Sequence, residues 1–172
     1  MTLSQTALEQ TLGSRPFRFL PSVDSSNDLA ADWLREGAAA GSVVIADEQR
    51  KGRGRKGRVW YTPPGVALAL SIVLRPHPDT MGRVSMLGAL AVAEACDELG
   101  LTHVGIKWPN DVQLDGRKIC GILPEAIWQG STLLGVVLGM GVNVRVQFDE
   151  PLSQTAASIE PALGQPLDRA QL

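Results

Sequence analysis

The sequence predicts an α+β domain: a mixed, largely antiparallel sheet with helices packed on it. Three observations carry that prediction. Short β-branched or apolar runs are interspersed with stretches of helical periodicity. The runs after residue 110 are joined by the two-residue turn signals Asp115-Gly116 and Gln129-Gly130, which make hairpins rather than crossovers. Residues 66–74 are apolar on both faces, as a central strand is.

In chain order, Leu3, Ala7, Leu8 and Leu12 stand at helical spacing and Gly13 closes that helix. Phe17-Arg18-Phe19-Leu20 reads as a short strand. It leads into Ser22-Val23-Asp24-Ser25-Ser26-Asn27, a run of capping residues ahead of a helix that carries Leu29, Ala30, Trp33 and Leu34 and stops at Gly37. At least one of Ser25, Ser26 and Asn27 caps this helix, and the others are free for a ligand at its N-terminus. Ser42-Val43-Val44-Ile45-Ala46 is a buried strand that delivers Gln49 and then a basic loop. Val59-Trp60-Tyr61 favours strand, and Pro63-Pro64-Gly65 makes a turn before the central strand. Residues 83–99 return to helical spacing, with Val84, Leu87, Leu90 and Ala91 expected inward and Glu94, Asp97 and Glu98 outward. Val104-Gly105-Ile106 is a strand running into Lys107-Trp108-Pro109-Asn110-Asp111. Residues 112–114 and 117–123 form one hairpin, and 131–139 is the second strand of another, ending at Gly139-Met140-Gly141-Val142-Asn143. A last helix is expected after Pro166, with Asp168 in its first turn. A chain that stops one turn into a helix is expected to lack a C-terminal portion.

At 172 residues and 44% hydrophobic content, one domain with a real core is expected. Residues 1–10 lack a basic segment followed by an apolar one, and no apolar run approaches the ~18 residues a membrane span needs. Cys96 and Cys120 fit reduced, buried thiols, so a cytoplasmic protein is expected. His77 and His103 lack ligand spacing, so no dedicated metal site is expected.

The stretch richest in chemistry is Gly52-Arg53-Gly54-Arg55-Lys56-Gly57-Arg58-Val59-Trp60. Its glycines allow close backbone approach, and its cations can point inward, Arg53 or Arg55 as a planar fork and Lys56 as a point charge. Such a loop can hold an anion. Its letters fit G-x-G-x-x-G, but strand-forming residues rather than a helix follow, which argues against a dinucleotide fingerprint. A solvated charged loop and a nucleic-acid patch are the other readings, the latter disfavoured by a net charge of −2 and a pI near 5.7. The Lys107–Asp111 stretch gathers a cation, an indole, an amide and a carboxylate, and it also reads as an ordinary solvated turn. The glycines at 139 and 141 allow a ligand to lie against the backbone with Asn143 hydrogen-bonding it, or else mark a bulge with Asn143 exposed.

Together these stretches, over residues 24–159, resemble the catalytic domain of biotin protein ligases. The glycine-arginine loop with Trp60 and Lys107-Trp108-Pro109-Asn110-Asp111 look like the family's two signatures, and residues 116–123 with Glu125, and Gly139-x-Gly141-x-Asn143, are similar to two further family segments. The resemblance implies a class II aminoacyl-tRNA-synthetase-like, biotin and lipoate ligase-like fold. It implies ATP-dependent activation of biotin to biotinyl-5′-adenylate with Mg²⁺, then transfer to a lysine of a biotin carboxyl carrier protein. Ser25 and Ser26, where the family commonly shows Ser-Thr before Asn27, would bind biotin's ureido ring, and Asn27 would be a further biotin-binding residue. Gln49, Gly52, Lys118 and Gly121 would line the biotin pocket. Arg53 and Arg55 would bind carboxylate and phosphate, Lys107 would sit at the reacting carboxylate and α-phosphate, and Arg58, Trp60, Asn110 and Asn143 would face the adenylate. Lys107 and Arg55 are the catalytic pair this implies.

Within residues 1–172 the resemblance covers neither an N-terminal DNA-binding module nor the family's small C-terminal β-domain. No nucleic acid or membrane partner is expected, a homodimer is left open, and the strands at 117–123 or 132–138 offer edges for a carrier. Lipoate or octanoate transfer on the same fold, or a non-catalytic anion- or nucleic-acid-binding module, are the alternatives.

Overall fold

In a computed structural model, residues 3–172 are described; Met1 and Thr2, part of the stretch read for a signal sequence, lie outside the described residues. Strands β1 (Phe17–Val23), β2 (Val43–Gln49), β3 (Ala67–Leu74), β4 (Val104–Lys107), β5 (Asp111–Leu114), β6 (Arg117–Gln129) and β7 (Thr132–Asn143) form one sheet among the described residues, in the order β1-β2-β3-β7-β6-β5-β4. β1 and β2 are parallel, joined by a helical crossover, and the remaining pairs are antiparallel. The expected mixed sheet is the one found.

Helix α1 (Gln5–Leu12) starts where Ser4 Oγ accepts from Ala7 N–H and ends at Gly13, which takes a φ of 58°. Helix α2 (Ser26–Arg35) is the crossover, capped by Ser25 Oγ, and α3 (Val84–Glu98) follows a 3₁₀ segment at residues 78–83. The two-residue period of the strands sorts their side chains onto two faces. Val43, Ile45, Val136, Leu138, Met140 and Val142 face one core with α1 and α3, while Val44, Val73 and Val137 face α2 with Ala30, Ala31 and Leu34.

Four expectations change. The sheet-facing row of α3 is Val84, Gly88, Val92 and Cys96 with Ala89, whereas Leu87 and Leu90 are 56% and 45% exposed and Ala91 also faces out. The reason is closeness: a Cβ on Gly88 would sit 3.2 Å from both Ile122 Cγ2 and Leu138 Cδ2, so the helix lies on its small residues. Val59-Trp60-Tyr61 forms no strand: its backbone is held to the basic loop and the end of β2 only at isolated points, by bridges at Arg53–Val59 and Gln49–Thr62 and by Trp60 N–H donating to the Gly52 carbonyl. β7 runs through the glycines to Asn143 instead of ending at Gly139, since both neighbours keep pairing with it there. The fourth change is at the end of the chain, where α4 (Ile159–Leu163) is closed by left-handed Gly164 and no helix follows Pro166. Leu167 N–H donates to Glu160 Oε2 and its carbonyl accepts from Arg145 Nη2, so both of its backbone groups are spent away from a helix ladder. Arg169 is fully buried beyond it, donating to Asp47 and to the Ala67 carbonyl.

The sheet edges are β1 and β4. Residues 117–123 therefore offer no free edge, being flanked by β5 and by β7 or the 155–157 segment, and 132–138 is paired on both sides from Val136 onward.

Candidate active site

On the face of the sheet that carries α2, cross-strand register lines up two rows of side chains. Ala46, Ala69, Gly141, Gly121 and Asp111 stand directly opposite one another across β2, β3, β7, β6 and β5. One residue-pair along, Val44, Ser71, Gly139 and Leu123 form the next row. The first row is small until its acidic end, and its Gly141, Gly121 and Asp111, with Gly139 and Leu123 of the second row, floor a cavity of about 440 Å³. Walls come from the N-terminus of α2, the basic loop, the turn after β4 and residues 148–156, including Phe148, Leu152 and Thr155.

Why this floor holds glycines is visible in what sits on it. A Cβ on Gly141 would be 2.2 Å from Trp60 Nε1, and one on Gly139 would be 2.3 Å from Asn27 Oδ1. The indole lies over the Gly121–Gly141 pair, with Lys118 Nζ 5.1 Å from its ring centroid and its own Nε1–H buried without a partner. Lys118 in turn pairs with Asp111 at 2.7 Å.

At the N-terminus of α2, Ser26 N–H and Oγ–H donate to Gln49 Oε1 at 2.9 and 3.0 Å, and Gln49 Nε2 donates to Thr62 Oγ1 at 3.0 Å. Ser71 Oγ stands 2.8 Å from Ser26 Oγ and 2.7 Å from Asn27 Oδ1; its single proton serves one of them at a time. Asn27 Nδ2 donates to the Leu123 carbonyl and, at 2.6 Å, to Glu125 Oε2. Ser25, Ser26 and Asn27 are each about 5% exposed. Three of the residues expected to meet biotin therefore form one network that fixes where α2 begins, Ser25 as its cap.

The basic loop is closed by Trp60 N–H to Gly52 O and Gly54 N–H to Arg58 O, and it turns through consecutive positive φ values at Lys56 and Gly57. Gly52 is required by contact, since a Cβ there would lie 2.3 Å from the Trp60 carbonyl. Arg53 makes a bidentate pair with Asp28 at 2.6 and 2.7 Å and also reaches Glu125 at 3.3 Å. The guanidinium hydrogen bonds hold the Asp28 carboxyl below its usual range, and Asp28 raises Arg53 further. Arg55 reaches across the mouth instead, donating to Asn110 Oδ1 at 3.1 Å, while Arg58 Nε donates to the Arg55 carbonyl. Asn110 is itself fixed by exchanging hydrogen bonds with the backbone of Ile122. Lys107, at the end of β4, lines the cavity with an exposed side chain, next to a cis Trp108–Pro109 bond.

So the two chemically rich stretches of sequence meet at one cavity. Asn143 also lines it but is 3% exposed, with its amide nitrogen donating to the Lys118 and Ala157 carbonyls as a strap. Asp28, Thr62 and Ser71 were not singled out from sequence. A lone hydroxyl in the apolar run of β3 is the signal that Ser71 offered.

Residues 19–143 match the biotin/lipoate A/B protein ligase family. The chain belongs to that family. It is 34% identical over 153 residues to the bifunctional ligase/repressor BirA of Bacillus subtilis, covering 86% of this chain and 47% of that protein. It is 37% identical over 160 residues to the biotin–[acetyl-CoA-carboxylase] ligase of Paracoccus denitrificans, covering 87% and 65%. Its fold is similar to that of the biotin protein ligase from Aquifex aeolicus in complex with biotin and ATP, with a TM-score of 0.77 and 29% identity over 90% of this chain and 63% of that one. The chain spans about half the length of the curated relatives it matches. In this member of the biotin/lipoate ligase family, the matched region ends at Asn143, so it contains the basic loop, the β4 turn and both glycine rows but not the 148–156 wall.

Proposed function

We propose that this chain activates biotin with ATP and transfers the biotinyl group to a lysine of a carrier protein. The observation that carries the reading is that Arg55 and Lys107, from stretches 52 residues apart in sequence, stand at the mouth of one cavity whose inner end is lined by the polar network of Ser26, Asn27 and Gln49. A carboxylate is a poor acyl donor. In the first step its oxygen attacks the α-phosphorus of ATP, the bond to pyrophosphate breaks, and negative charge gathers on phosphoryl oxygens. Fixed cations suit that charge, each worth a few kcal/mol by comparison with other single electrostatic contacts, about 2.7–4. In the second step an acceptor lysine amine attacks the biotinyl carbonyl and AMP leaves, so no protein nucleophile is needed.

Among the described residues no group of three or more His, Cys, Asp or Glu side chains could hold a metal. These residues fit a magnesium ion that arrives on ATP with phosphate and water ligands, where it would share the phosphate charge with Arg55 and Lys107. The acceptor fits a biotin carboxyl carrier protein domain, and no nucleic acid enters the reaction. Among the described residues no helix is long and apolar enough to cross a membrane, and the free thiols Cys96 and Cys120 suit the reducing cytoplasm we assign it to.

The test is ATP–pyrophosphate exchange with biotin, lipoate and octanoate in turn. Exchange that appears only with biotin is the expected result. Exchange with lipoate or octanoate instead moves the substrate within the fold, and none with any of the three leaves a binding module.

A further inference from the structure

We propose, on the reading of the cavity as a biotin site, that Glu125 is a positioning residue that selects a ring urea, by turning the Asn27 amide so that its oxygen faces the ligand. The nitrogen of that amide donates to the Leu123 carbonyl at 3.2 Å and to the Glu125 carboxylate at 2.6 Å. Swinging the amide over would set its oxygen against two acceptors, one of them a carboxylate. Oδ1 therefore points the other way, to Ser71 Oγ at 2.7 Å and over Gly139 on the cavity floor. Arg53 Nη2 stands 3.3 and 3.4 Å from the two Glu125 oxygens and keeps the carboxylate in place, while Asp28 holds the arginine from its other side.

The network leaves a defined set of groups for a ligand. Ser26 spends both its N–H and its hydroxyl proton on Gln49 Oε1, and the backbone N–H fixes which way the Gln49 amide points. Gln49 Nε2 gives one of its two protons to Thr62 and keeps the other. Ser71 has a single proton, so it occupies at most one lone pair of Ser26 Oγ and Asn27 Oδ1 taken together. Among Ser26, Asn27 and Gln49, two acceptors and one donor are left: Ser26 Oγ, Asn27 Oδ1 and the second Gln49 Nε2 proton. A cyclic urea, with two N–H donors and one carbonyl, is the complement of that set. A dithiolane ring offers neither and would leave the acceptors buried without partners, which is how a polar site rejects an apolar analogue. With the Asn27 amide reversed, one urea N–H would meet another N–H.

Calorimetric titration of the chain with biotin, desthiobiotin, lipoate and ATP reads the proposal, with urea unfolding to fix the folded fraction; desthiobiotin keeps the urea and lacks the sulfur ring. Glu125→Ala is expected to weaken biotin and desthiobiotin by the same factor, about tenfold, and to change ATP by less than about twofold. Its preference for biotin over lipoate should narrow accordingly. Glu125→Gln, whose side-chain oxygen still accepts from Asn27, should stay within about threefold of wild type. Asn27→Asp sets carboxylate against carboxylate and should lower biotin affinity about a hundredfold. Asn27→Asp/Glu125→Gln, with donor and acceptor exchanged, should regain roughly tenfold of that loss. Biotin affinity unchanged in folded Glu125→Ala, or an equal fall for biotin and ATP, overturns the positioning role and leaves biotin as the substrate. A fall for biotin without one for desthiobiotin overturns it too, by moving the contact to the sulfur ring. So does a double variant no better than Asn27→Asp, a comparison that stands even where Glu125→Ala does not fold. A wild-type chain that binds lipoate and not biotin overturns the proposed function, and the urea preference with it.

Discussion

Gly139→Ala is the sharpest perturbation of the site that changes a single methyl. In β7 the added Cβ would lie 2.3 Å from Asn27 Oδ1 and 2.9 Å from both Cγ and Nδ2. The amide cannot simply swing aside, because Ser71, the Leu123 carbonyl and Glu125 hold it on three sides. Either the strand and helix separate, at the ~1–3 kcal/mol typical of overpacking, or Asn27 moves and buried partners go unsatisfied, at a similar ~1–3 kcal/mol. Both relieve the same clash, so either route or a mixture of them is expected to cost about 1–3 kcal/mol. Gly105→Ala in β4 is the control, with no neighbouring atom within 4 Å of its Cβ and no positive φ, so it should be neutral or stabilise by up to ~1 kcal/mol. Urea unfolding measures both. Biotin affinity, by calorimetry, should fall by about tenfold in the folded fraction of Gly139→Ala, equivalent to ~1.4 kcal/mol, because the α2 N-terminus is displaced. A Gly139→Ala chain within 0.5 kcal/mol of wild type would refute the argument that the glycine exists for Asn27's approach.

Arg55→Gly should impair retention of the adenylate more than its formation, losing one charge-assisted contact of ~1.5–3 kcal/mol and letting the released anhydride label bystander proteins, whereas Lys107→Ala should slow pyrophosphate release itself. Bystander labelling by Lys107→Ala alone would reverse those roles. For pH, the Arg145 guanidinium and the Leu167 N–H lower the Glu160 carboxyl to about 2. A depressed carboxylate stabilises above its unfolded pKa and loses that contribution as pH falls through the folded one. Arg145→Met should therefore destabilise clearly at pH 6 and far less at pH 2, and an equal loss at both would remove Glu160 as the cause. Asp47→Ala strips the counter-charge from fully buried Arg169 and should cost about 3–5 kcal/mol in urea unfolding, more than Arg169→Met. The reverse order would mean that the arginine's packing, not its charge, matters.

The elements were legible where local chemistry decides them: a cap among Ser25, Ser26 and Asn27, the stop at Gly13, and the Asp115-Gly116 turn. The site was legible as two unusual stretches. It was not legible as partnerships, because these depend on register. Nothing near Arg53 in sequence indicates Asp28 or Glu125, and nothing near Gly141 indicates that Ala69 and Ala46 continue its row. The inward face of α3 was misread for a related reason, since hydrophobic size ranks Leu87 above Gly88 while the distance between helix and sheet ranks them the other way.

The arrangement of the cations follows from the same register. Arg53 and Arg55 are two residues apart, yet one is turned back onto Asp28 and Glu125 at the α2 end and the other is carried across to Asn110 at the β4 end. Gly52 and Gly54 flank Arg53, and Gly54 alone separates it from Arg55, which lets the loop split them. Arg53's pair with Asp28 is 41% and 56% exposed, which limits it to roughly 0–1 kcal/mol, so a ligand carboxylate or phosphate competes with Asp28 at little expense. Arg55 gives up only one neutral acceptor to meet an anion. The loop thus holds both forks near the cavity in contacts weak enough to exchange, which is what the proposed function asks of it. Lys107, on a strand end that is paired through to Asp111, needs no such exchange.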